Sequence, residues 1–218
     1  MSDTMPEPVG TEAEPAAGPA AAAPARKRPR PGERRVQILQ TLAGMLEQPG
    51  AERITTAALA ARLEVSEAAL YRHFASKAQM FEGLIEFIEA SVFALVNQIV
   101  ERDESGALQA QRIALMLLQF GEKNPGMTRV MVGDALVFEH ERLNARMNQF
   151  FDRVESQLRQ CLRQGAQEQG STTPTADAHA MASALTALLV GRLQRYARSG
   201  FRRLPTEAIE TPLQRLTS

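Results

Sequence analysis

The chain has 218 residues, 44% of them hydrophobic, with 25 Lys plus Arg against 25 Asp plus Glu. That length suits one or two compact domains, and its single cysteine, Cys161, excludes an intramolecular disulfide and fits a reducing cytoplasm. Strand signals are scarce, with no Asn-Gly or Asp-Gly turn between runs of period two, so the fold class is all-α.

Residues 1–25 are rich in Ala, Pro and Glu and carry Asp3, Glu7, Glu12 and Glu14 with no Lys or Arg. Such a segment buries too little apolar surface to offset ordering, which predicts a disordered tail. It is no secretory signal, because the acidic residues precede the Ala run and the basic cluster follows it. No uncharged apolar run reaches the roughly 20 residues that cross a bilayer, so no membrane partner is expected. Residues 26–33 begin a basic arm, RKRPRPGERR, which either follows a nucleic-acid backbone, enters a minor groove or serves as a solvated linker. The zero net charge therefore hides a local basic patch.

A first helix over 34–47 carries Val36, Ile38, Leu39, Leu42, Ala43, Met45 and Leu46 at core-forming spacing, and Gln48-Pro49-Gly50 ends it. Next, Ile54–Lys77 reads as two short helices joined by a tight turn. Thr55 or Thr56 caps a helix over 56–63, with Leu59, Ala60 and Leu63 as its buried stripe. Glu64-Val65 is the turn, and Ser66 caps a second helix over 67–73. Ala68 and Ala69 are small enough to let that helix sit deep in a major groove and touch a thymine methyl. Glu64 stands where such turns usually have Gly, at a cost of about 1 kcal/mol if its backbone is left-handed.

Tyr71, Arg72, His73 and Lys77 can all bond to phosphate. Ser76 opens a long helix over 76–101, and Ser76-x-x-Gln79 matches a capping box whose exposed N–H groups suit an anion. The DNA-binding candidates are thus Arg34, Thr55, Thr56, Ser66, Glu67, Ala68, Ala69, Tyr71, Arg72, His73 and Lys77. The long helix belongs to both halves: its start faces DNA, and Phe81, Leu84, Ile85, Ile88, Val92, Leu95, Val96 and Ile99 run into the second domain.

That second domain begins with an apolar helix over 108–120, broken at Gly121–Gly126. A short helix over 127–137 follows, then a long amphipathic one over 139–168, a loop at 170–174, a helix over 175–199 and a short helix within 206–216. Ala182, Ser183, Ala184, Ala187 and Gly191 are small residues that permit close helix approach, either within one subunit or across a dimer. Of the three histidines, His140 sits in Phe-Glu-His-Glu-Arg without a His-x3-His or Cys-x2-Cys partner, so no metal is expected. Gly-rich phosphate loops and nucleophile elbows are absent as well, and the chain is read as no enzyme, with no cofactor.

The run Leu70-Tyr71-Arg72-His73-Phe74 followed by Ser76-Lys77 resembles the N-terminal domain of TetR-family regulators. A narrower resemblance, to the nucleoid occlusion factors of that family, covers ITTAALAARLEVSEAALYRHFASKAQMFEGLIEFIE, GEKNPGMTRVMVGDAL, FEHERLNARMNQFFDRVESQLRQ and RYARSGFRRLPTE. The resemblance implies a helix-turn-helix domain over 34–77 and a helical dimerisation and partner-binding domain over 78–218. It implies a homodimer built on the last two long helices, bound to double-stranded palindromic DNA in the cytoplasm on the nucleoid. It also implies that FtsZ, chiefly its C-terminal tail, binds between the long helix and the next. In this chain that groove maps to Phe87, Leu95, Met116, Gln119 and Lys123. Phe87 lies at the edge of its apolar stripe, where it serves either the groove or the core. The alternative function is a ligand-responsive repressor, which needs an enclosed pocket in the second domain. A plain architectural DNA protein would show no partner groove.

Overall fold

The computed structural model describes residues 32–48, 54–102 and 105–217. The predicted tail, the arm up to residue 31 and the Pro49-Gly50 helix stop lie outside these residues. Among the described residues the fold is entirely helical, with no strand.

Four helices build the N-terminal part: α1 (Glu33–Leu46), α2 (Thr56–Arg62), α3 (Glu67–Tyr71) and the first half of α4 (Lys77–Arg102). Their shared core is Ile38, Leu42, Leu46, Leu59, Leu70, Phe74 and Phe81, each at most 3% exposed. The predicted caps divide as follows. Thr55 Oγ1 accepts from Ala58 N at 3.1 Å, and Ser66 Oγ accepts from Ala69 N at 3.3 Å. Thr56 instead lies inside α2. Glu64 is left-handed, with φ 55°. Glu64 N donates to Ala61 O at 3.1 Å and Val65 N to Ala60 O at 3.0 Å, a Schellman closure made without glycine.

The second short helix ends at Tyr71, two residues earlier than its spacing predicts. Phe74 is drawn into the core, and both His73 N and Phe74 N bond back to Leu70 O. Ser76 caps α4 as predicted, accepting from Gln79 N at 3.2 Å, but Gln79 Oε1 reaches back to Ala75 N rather than to Ser76 N.

The body comprises the rest of α4 with α5 (Gly106–Lys123), α6 (Pro125–Met131), α7 (Glu141–Glu168), α8 (Pro174–Arg198) and α9 (Glu210–Thr217). Gly121 does not break α5 as predicted. A Cβ there would lie 2.4 Å from Leu193 Cδ2, so this glycine serves close packing of α5 on α8. The break falls at Asn124, because Pro125 disfavours helical geometry in the residue before it. Pro125 then occupies the first turn of α6, where its missing N–H costs nothing.

The helix predicted over 127–137 is two pieces. Gly133, with φ 79°, separates α6 from a 3-10 turn at Asp134–Leu136. The long amphipathic helix starts at Glu141, since His140 is its cap and Glu139 is held elsewhere. Pro174 opens α8 instead of ending the loop before it.

By length and composition α4 could cross a membrane, with mean hydropathy 1.5. In the fold its apolar stripe packs into the core, and three of its carboxylates pair with arginines: Glu82 with Arg142 at 2.7 Å, Glu86 with Arg35 at 3.7 Å and Glu89 with Arg146 at 2.6 Å. The Glu89 bond is bidentate, and it holds the Arg146 guanidinium above its ordinary pKa.

Candidate nucleic-acid interface and partner groove

The predicted DNA-facing residues lie around α2, α3 and the start of α4, except Arg34, which is on α1. Tyr71, Arg72 and His73 are exposed at the end of α3, and their side chains make no hydrogen bond or ion pair among the described residues, so their polar groups are available to phosphate. Thr55 and Ser66 spend their hydroxyl lone pairs as caps and keep an O–H to donate. Ala68 is exposed and Ala69 half-buried on the same short helix.

Three members of this set have protein partners that spacing alone does not reveal. Thr56 Oγ1 donates to Glu67 Oε2 at 2.6 Å, which fixes the carboxylate at the entrance of α3. Arg34 Nη1 donates to Gln37 Oε1 at 2.8 Å along α1. The Lys77 ammonium is ion-paired with Glu139, and its side chain is only 28% exposed. Nearby, Arg35 stacks over Phe74 at 4.4 Å and so braces α1 against the end of α3.

On the other side of α4, an open groove of about 310 Å³ separates it from α5. Leu95, Gln98, Ile99 and Arg102 line one wall, and Arg112, Leu115, Met116 and Gln119 the other. Leu95, Met116 and Gln119 are thus brought together as predicted. Phe87 and Lys123 are not among the lining residues. Phe87 is 41% exposed, two helical turns before Leu95 on the same stripe, and Lys123 is exposed at the end of α5. The sequence reading missed Arg102 and Arg112, although Arg102 follows Leu95 by seven residues and Arg112 precedes Met116 by four, both on the groove-facing stripe.

The interior between α5 and α8 is filled by Ile113, Leu117, Val130, Met131, Leu158, Leu185 and Leu189, each at most 2% exposed. On the outer side of α8, Ala180, Ser183, Ala184 and Ala187 are exposed, and a Cβ on Gly191 would meet open space. His140 caps α7, its Nδ1 accepting from Arg142 N at 3.3 Å.

Residues 38–84 match the family described as bacterial regulatory proteins, tetR family, and residues 105–218 match the SlmA-like tetracyclin repressor C-terminal domain. The nucleoid occlusion factor SlmA of Alteromonas mediterranea is 51% identical over 174 residues, which span 80% of this chain and 89% of that one. The chain belongs to the SlmA family of nucleoid occlusion factors, within the TetR family. The SlmA of Photobacterium profundum is likewise 51% identical, over 85% of this chain and 94% of its own.

Among solved structures, the ketosteroid regulator KstR2 of Mycobacterium tuberculosis is similar with a TM-score of 0.66 at 19% identity, covering 85% of this chain and 94% of its own. The FadR of Bacillus subtilis, solved with stearoyl-CoA, gives 0.70 at 11% identity, covering 84% and 96%. These likenesses establish the TetR fold and nothing about ligand.

Proposed function

We propose that a homodimer of this chain binds palindromic double-stranded DNA on the nucleoid, captures the C-terminal tail of FtsZ and inhibits division-ring assembly there. Residues 34–77 serve as the DNA-binding domain and 78–218 as the dimerisation and partner-binding domain, with α4 shared. The small outer stripe of α8 supports a two-fold interface, and a dimer of this kind spaces its α3 helices by about 34 Å, one turn of duplex. Arg34, Thr55, Thr56, Ser66, Glu67, Ala68, Ala69, Tyr71, Arg72, His73 and Lys77 form the DNA face. Leu95, Met116 and Gln119 line the FtsZ groove, and Phe87 and Lys123 meet the tail beyond its lining.

The observation that carries the FtsZ assignment is the α4–α5 groove itself, apolar along Leu95, Ile99 and Leu115 and edged by Arg102 and Arg112. An apolar floor with a basic rim suits an amphipathic, partly acidic peptide. The interior between α5 and α8 is filled, and the space left to the alternative, a ligand-responsive repressor, is an open cleft of about 480 Å³ beside Met131, Asn144, Met147 and Phe151.

The test is sedimentation of FtsZ polymers with the purified protein, alone and with a duplex that the protein has itself selected from a random pool. Pelletable FtsZ should fall when protein and duplex are both present. Unchanged pelleting would overturn the reading.

A further inference from the structure

Between the DNA-binding part and the body lies α6, whose residues Gly126–Met131 are all buried. It meets α1 without intervening side chains: a Cβ on Gly126 would lie 2.0 Å from Ala43 O. At the far end of the same contact stands Arg129, a guanidinium only 8% exposed. Its Nε donates to Asp134 Oδ2 at 2.6 Å, and its Nη1 donates to Leu46 O at 3.3 Å.

Leu46 is the last residue of α1, where the carbonyls lack helical partners and carry partial negative charge. Arg129 therefore spans two acceptors of different origin, a main-chain carbonyl of the DNA-binding part and a carboxylate of the body. Gly133 makes this possible, because its left-handed turn brings Asp134 back to the arginine that α6 presents. A buried guanidinium is costly unless it is paired, so the two acceptors fix its position closely.

The mechanical consequence follows from what α1 carries. Its Leu42 and Leu46 are buried with Leu59, Leu70 and Phe74 in a cluster that continues into the body, so α2 and α3 follow α1. The covalent link to the body is α4, a single helix that can bend. A clamp at the end of α1 removes that freedom. We propose that Arg129 is a positioning residue for DNA recognition: by locking α1 to α6 it sets the angle of α3 on the body, and hence the one half-site spacing a dimer accepts. The inference rests on the reading of the chain as a dimer that binds palindromes, and Arg129 itself touches no DNA.

The test is selection from duplexes with a randomised centre, using the full-length protein, Arg129→Leu, Asp134→Ala and Arg129→Lys. The wild type should enrich palindromic half-sites at one spacing. Arg129→Leu and Asp134→Ala should enrich the same half-sites at a spread of neighbouring spacings. Affinity for the wild-type spacing should drop by at most roughly tenfold, the worth of one charge-assisted hydrogen bond. Arg129→Lys, which keeps the charge but reaches one acceptor at a time, should narrow the spread again. The salt dependence of binding should not change, since no phosphate contact is lost.

Single, unaltered spacing in Arg129→Leu and Asp134→Ala would overturn the proposal. So would loss of helical circular dichroism in both, which would make the clamp a stability element alone. A wild-type selection that returns no palindrome would instead remove the dimeric DNA reading itself.

Discussion

Glu139, in the link before α7, holds the ammonium of Lys77 at the first turn of α4. The same lysine is one of the phosphate candidates on the proposed DNA face, where Glu139 would compete with a phosphate for its charge. Lys77→Ala should weaken binding to every duplex and reduce the slope of log affinity against log salt by about 0.9. Glu139→Gln should do the reverse, tightening binding at low salt. Fluorescence anisotropy over a salt series measures both, and an unchanged slope in Lys77→Ala would leave the lysine a purely structural cation.

Phe87 is large, apolar and 41% exposed, an arrangement that serves docking better than packing. Phe87→Ala should abolish capture of an FtsZ-tail peptide while leaving DNA affinity intact. Being partly solvated, it should cost the fold less than about 1 kcal/mol. Peptide pull-down beside DNA titration checks the split.

Replacing Ala187 by Glu on the exposed stripe of α8 should turn the proposed dimer into a monomer with little change in helicity. Light scattering after size exclusion gives the mass directly. A dimer that persists would place the two-fold interface elsewhere.

Gly126→Ala should be severely destabilising, by about 1–3 kcal/mol, because the new methyl meets the main chain of α1 and no flexible side chain can yield. Gly191→Ala, inside α8 and facing open space, should stabilise the isolated subunit by about 0.5–1 kcal/mol. Urea denaturation of the pair separates local crowding from loss of glycine as such.

Cys161 is 1% exposed, and its thiol pKa is pushed up by burial, with the Gln157 hydrogen bond opposing. A raised pKa leaves less thiolate at neutral pH than a free cysteine has, and thiolate is the reactive form. Alkylation of the native protein should therefore be slow and accelerate sharply on unfolding, as mass spectrometry along a urea series would record.

Much of this architecture was legible from residue spacing, and the exceptions have physical causes. Local signals were dependable where the chain satisfies its own main chain, as at Thr55, Ser66 and Ser76. The left-handed Glu64 was also visible, as a missing glycine in an otherwise regular turn. Gly121 misled because a helical glycine that stops a helix and one that admits Leu193 look alike until the neighbouring helix is in place. The split of 127–137 was hidden for a related reason: Gly133 matters through the return of Asp134 to Arg129. On the DNA face, residue types were readable, but the Thr56–Glu67 bond and the Lys77–Glu139 pair join residues 11 and 62 positions apart. The groove's basic rim at Arg102 and Arg112 was missed because it becomes a rim only when α4 and α5 lie side by side.

The continuity of α4 has a consequence for how two guests share one molecule. At about 1.5 Å of rise per residue, Phe87 stands roughly 15 Å and Leu95 roughly 27 Å along the helix from Lys77. Both separations exceed the screening distance of about 8 Å at physiological ionic strength. On the proposed function the helix would work as a ruler, holding an acidic peptide far enough from the duplex that the phosphates hardly repel it, so that neither guest would have to leave for the other to arrive.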